Sequence, residues 1–85
     1  MQIHIIYTEI EMLLSKRAYA SWREIQEEYA NYKASLGPWS YDVAVEYLAA
    51  EYLDLSPSAD EQVAKFLAAA EDTKAVTFQQ QHRTA

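Results

Sequence analysis

The amino-acid sequence predicts an all-α fold, a compact bundle of three to four short antiparallel helices, and two observations lead there. The chain has one glycine and two prolines in 85 residues. An all-β chain needs turn residues about every 8–12 positions, and this one lacks them. Several segments also space their apolar residues three and four apart, the period of a helix with one buried face. A hydrophobic fraction of 51% is ample for one core, and 85 residues make one domain. The helical domain is expected over residues 1–74, with a flexible tail over 75–85.

At the N-terminus Ile3, Ile6, Tyr7, Ile10, Leu13 and Leu14 fit a helical stripe. The run Ile3-His4-Ile5-Ile6-Tyr7-Thr8 is also β-branched and aromatic, so residues 2–7 read equally as a strand feeding a helix from Glu9. Ala75-Val76-Thr77-Phe78 would then be its partner strand. Helix throughout is the preferred reading, because two strands alone are marginal.

The next helix is predicted over Trp22–Leu36, with Trp22, Ile25, Tyr29, Tyr32 and Leu36 on one stripe. Gly37 would end it in the left-handed conformation and Pro38 would forbid its continuation. A third helix follows Ser40 and reaches about Leu55. Its main stripe is Tyr41, Val45, Leu48, Tyr52 and Leu55, and a second strip, Val43–Tyr47–Ala50, lies on the far side. Leu53 falls between the two. A helix apolar on more than one face is usually buried on more than one side, which places it centrally or against a second subunit. After the break at Ser56-Pro57-Ser58, a last helix over about Ala59–Glu71 turns Ala59, Val63, Phe66, Leu67 and Ala70 to one face. Thr8-x-x-Glu11, Ser21-x-x-Glu24 and Ser58-x-x-Glu61 all carry the spacing of a capping box, in which a hydroxyl and a carboxylate reciprocally satisfy the first backbone N–H groups of a helix.

Charge restricts function more than any motif does. The net charge is −6, and between Ala34 and Ala64 there is no lysine or arginine while six carboxylates occur. Such a chain repels phosphate backbones and anionic lipid. The Gly-containing turn between two helices suggests a helix-turn-helix, but the would-be recognition helix has acids and no base, so no direct nucleic-acid contact is expected. No 18-residue apolar run spans a membrane and no signal-peptide pattern opens the chain. The absence of cysteine removes disulfide and thiolate chemistry and fits a cytoplasmic protein.

Signatures of catalysis are missing. One glycine cannot build a phosphate-cradling loop, and no metal-ligand spacing of His, Asp and Glu occurs. His4 and His82 stand at opposite ends and are read as terminal histidines, exposed or packed. The chain is therefore expected not to be an enzyme and to need no cofactor or metal.

The residues that point to binding are Val43, Glu46, Tyr47, Glu51 and Asp54. Val43 and Tyr47 lie one helical turn apart, with carboxylates flanking their strip. An apolar strip with an acidic rim has the make-up of a protein-binding patch, and Tyr47 is its expected exposed anchor. In size, acidity, helical pattern and tyrosine content the chain resembles nuclease-colicin immunity proteins and small phage inhibitors such as anti-CRISPR and anti-restriction proteins. The Tyr-Tyr-Pro segment of the immunity proteins is absent, so no residue carries over. The expected function is a small acidic protein-binding module, an inhibitor or decoy that occludes the basic, nucleic-acid-binding surface of a partner protein. The alternative is a structural homo-oligomer with the helix over 41–55 as its dimer seam.

Overall fold

In a computed structural model the described residues are 2–79. They form an α+β fold, which corrects the all-α bundle. Strands β1 (Ile3–Thr8), β2 (Met12–Ser15), β3 (Tyr32–Trp39) and β4 (Thr73–Ala75) make one sheet in the order β3-β1-β2-β4. All pairings are antiparallel. Helices α1 (Trp22–Glu28), α2 (Tyr41–Glu51) and α3 (Ala59–Ala68) cover it.

The two inner strands, β1 and β2, are buried on both faces, and that is why β1 resists sequence reading. Ile3, Ile5, Met12 and Leu14 pack with Ala44 and Leu48 of α2 and Val63 and Phe66 of α3. Ile6 and Leu13 point the other way, onto Ile25 of α1. A strand covered on both sides shows a continuous apolar run instead of alternation. The run Ile3–Ile6 therefore matches a helical stripe as well as a strand. No helix starts at Glu9. Instead Thr8 accepts from the Ile10 and Glu11 N–H groups (3.3 and 3.0 Å), and its own N–H donates to the Glu11 carbonyl at 2.9 Å, which closes the β1–β2 hairpin.

The helix expected over Trp22–Leu36 stops at Glu28, and β3 begins at Tyr32. Two register shifts in the β1–β3 pairing account for the misleading pattern. Thr8 pairs with Tyr32 and Tyr7 with Ala34, which leaves Lys33 as an extra residue. Ile5 pairs with Leu36 and Ile3 with Trp39, which sets Gly37 and Pro38 against His4 alone. Each bulge resets which face the strand presents. Tyr32 accordingly packs on the α1 side and Leu36 on the α2–α3 side, although their spacing of four reads as one helical stripe. Gly37 does adopt positive φ, at 109°, but inside a bulge and not at a helix end.

Helix α2 starts where expected, with Ser40 accepting from Val43 N–H at 3.3 Å, but ends at Glu51. Helix α3 buries Ala59, Val63 and Phe66 of its predicted face and half-buries Leu67, but it ends at Ala68, short of the expected Glu71, and leaves Ala70 exposed. Its C-terminus is held from the sheet side: Lys16 Nζ donates to the Phe66 and Ala69 carbonyls at 2.9 and 2.7 Å. A cation there also opposes the negative end of the helix dipole.

Residues 75–79 are part of the fold and not of a tail. Ala75 pairs with Leu13, Val76 is buried, and Phe78 bridges to Leu55. Buried Gln62 fastens this segment, donating to the Pro57 and Thr77 carbonyls and accepting the Thr77 N–H. The partner strand expected at 75–78 thus forms as 73–75, against β2 and not β1. The rest of the expected tail, and His82, lie outside the described residues.

Candidate functional site

Helix α2 has a sheet-facing side built on Ala44 and Leu48, both fully buried. At 100° per residue the opposite side carries Asp42, Val43, Glu46, Ala49 and Ala50, all exposed. Past the helix end the chain turns outward, and Leu53 stands 93% exposed next to exposed Asp54. An isolated exposed leucine is ordinary. Val43, 43% exposed, stands at the other end of α2, in its first turn. Asp60 and Glu61, in the first turn of α3, are exposed as well.

The five residues read as a binding patch divide in two. Val43, Glu46, Glu51 and Asp54 lie on the surface. Tyr47 sits at the border of the open face and turns inward, half-buried. Its hydroxyl meets the Tyr7 hydroxyl at 2.7 Å, and Tyr7 in turn meets Tyr52 at 2.8 Å. The rings meet edge-on or tilted in a belt, with centroids 5.2 Å apart for Trp39 and Tyr47, 6.4 Å for Tyr47 and Tyr52 and 5.8 Å for Tyr52 and Phe78. Burial, and then the two hydroxyl neighbours, push the Tyr7 phenol well above its ordinary pKa. It stays protonated and serves as a hub, with one O–H to donate and lone pairs to accept. No carboxylate or imidazole joins these hydroxyls, so the cluster joins sheet to helix and has no proton-transfer partner among the described residues.

Sequence reasoning passed over Leu53, which lay between the two apolar strips. Its placement depends on α2 ending at Glu51, one turn before the periodicity suggests. Reasoning also passed over a cleft on the other side of the sheet. This cleft has a volume of about 530 Å³ and runs between the start of α1 and β3. His4 lies in its wall, only 7% exposed, with its ring edge-on to Tyr19 at 5.0 Å. Burial lowers the His4 pKa, which favours the neutral imidazole. Trp22, 53% exposed, also lines the cleft. A helical stripe had placed this residue in the core. Among the described residues no group of three His, Asp or Glu side chains is arranged to hold a metal ion, and no helix is long and apolar enough to cross a membrane.

Comparison with protein-family models, with curated proteins and with solved structures finds no match to this chain.

Proposed function

We propose that the protein is a small acidic binding module whose α2 face and α2–α3 loop dock on the basic surface of another protein. The observation that carries this reading is Leu53, 93% exposed on a surface that belongs to a stretch of 31 residues without lysine or arginine. Asp42, Glu46 and Asp54 steer a basic partner into contact, and Leu53 and Val43 supply apolar area once water is displaced. A partner whose basic surface ordinarily meets nucleic acid is occluded by such contact, which makes the module an inhibitor or decoy. The cysteine-free composition suits the reducing cytoplasm where such a partner works.

The experiment is affinity capture followed by titration of the purified partner at several salt concentrations. Binding should weaken as salt rises, and Leu53→Asp should reduce affinity about tenfold or more while leaving the unfolding midpoint within about 0.5 kcal/mol of wild type. A partner that binds Leu53→Asp as tightly as wild type removes the assigned surface. A salt-insensitive homodimer that Leu53→Asp dissociates transfers the same surface to self-association and overturns the module reading.

A further inference from the structure

We infer that the cleft between α1 and β3 is a binding site for a small aromatic carboxylate that carries a second polar group on its ring. Three features of the cleft point to this ligand.

The first is the His4 ring. His4 is more than nine-tenths buried, and its ring makes no hydrogen bond to any described residue. Among the described residues no fully buried side-chain nitrogen lacks a partner, so the ring nitrogens keep access to solvent and are free to meet a ligand. In its neutral form the imidazole offers one donor and one acceptor, a pair suited to a ring hydroxyl or ring N–H.

The second is the aromatic lining. Trp22, Tyr19 and Tyr32 all contribute to the walls, and Trp22 keeps more than half its surface open to solvent. The 530 Å³ volume is within the range of roughly 300–1,000 Å³ that accommodates small organic ligands. Planar rings pack well against such walls, because offset and edge-to-face contacts add to simple burial.

The third is local charge. In a chain of net charge −6, no carboxylate lines the cleft among the described residues, and Lys33 is the one formally charged side chain among them that does. Arg23, which does not line the cleft, lies over the ring of the lining residue Trp22 at 5.4 Å. Two carboxylates of α1 are engaged outside the lining: Glu24 accepts the Ala20 N–H at 2.8 Å, and Glu28 accepts from Arg17 and Tyr19 at 2.8 and 3.1 Å. Lys33 is also the extra residue of the first β3 bulge, which gives its presence at the cleft a structural origin. Tyr32 and Ser35, whose hydroxyls are 3.0 Å apart, also line the cleft.

The test uses the full chain and three probes: 6-hydroxy-2-naphthoate, 2-naphthoate, and 6-hydroxy-2-naphthamide. NMR titration should move the His4 ring and Trp22 indole signals with the first probe. That probe should bind more tightly than either of the others. Lys33→Gln should weaken the two carboxylates by about two- to five-fold, the contribution of an exposed ion pair, and leave the amide unchanged. His4→Phe, which keeps an aromatic ring against Tyr19 but removes both ring nitrogens, should erase the preference for the hydroxylated acid over 2-naphthoate. The inference fails if millimolar probe leaves the His4 and Trp22 signals in place, or shifts only residues around Leu53. It fails equally if the amide binds as well as the acid, or if the hydroxyl preference survives in His4→Phe.

Discussion

A Cβ atom added at Gly37 would lie 2.5 Å from the Ile3 carbonyl oxygen, a backbone atom that cannot swing aside. The residue also sits at φ 109°, where L side chains are strained. Gly37→Ala should therefore destabilise the fold by at least about 1–3 kcal/mol, read as a lower urea midpoint with an unchanged slope. The need for positive φ at this position is legible in the sequence, since the chain has a single glycine and it precedes proline. What that conformation serves is not legible. A helix C-cap and a strand bulge make the same local demand, and only the pairing of β3 with β1 decides between them. His4 shows the same limit. The sequence marks it as a terminal histidine, and burial against Tyr19 beside a cleft follows only once β1 becomes the central partner of β2 and β3.

Three Ser/Thr-x-x-Glu segments show how far local signals reach from one element to the next. Ser21 is an N-cap that accepts the Arg23 N–H at 3.3 Å, and Ser40, which lacks the pattern, accepts the Val43 N–H at the same distance. Ser58 occupies the N-cap of α3, but its hydroxyl donates to the Asp60 and Glu61 carboxylates and satisfies no backbone group. Thr8 has the same spacing and closes a hairpin. Ser40→Ala should then cost about 1 kcal/mol, while Ser58→Ala should cost no more than a few tenths. Paired denaturation curves measure the difference, and equal losses would mean that the hydroxyl contact to Val43 contributes nothing. Helices α2 and α3 were readable because each keeps one stripe on one sheet face, as Ala44 and Leu48 or Val63 and Phe66 do. Strands β1 and β3 were not. The first is buried on both faces, and the second is bulged twice, so neither shows a period of two. The same difference governs the candidate surface. Val43 and Glu46 follow from α2's periodicity, whereas Leu53 depends on where the helix stops.

The two sides of the sheet differ in chemistry, and the tyrosine hub separates what holds the molecule together from what it offers to partners. Tyr7 rises from the central strand to meet Tyr47 and Tyr52, so α2 is tied to the sheet by hydroxyls as well as by Ala44 and Leu48. Asp42 and Glu46 lie on the far side of that helix, Leu53 and Asp54 stand exposed past its end, and none of them contributes much to the core. Tyr7→Phe removes one oxygen and with it both hydroxyl contacts. The three side chains are only half-buried, so water replaces part of what is lost, and the cost should be about 0.5–1.5 kcal/mol. Stability and binding should then separate cleanly between variants. Tyr7→Phe should lower the unfolding midpoint while the folded protein keeps its affinity and salt dependence for a basic partner. Leu53→Asp should do the reverse, keeping the midpoint and losing the affinity. Both quantities are measurable on the same two purified variants, by denaturation and by titration at two salt concentrations. Should Tyr7→Phe abolish binding at a temperature where the protein is fully folded, the tyrosine belt itself would be the contact surface, and the outer face of α2 would be left with solvation as its role.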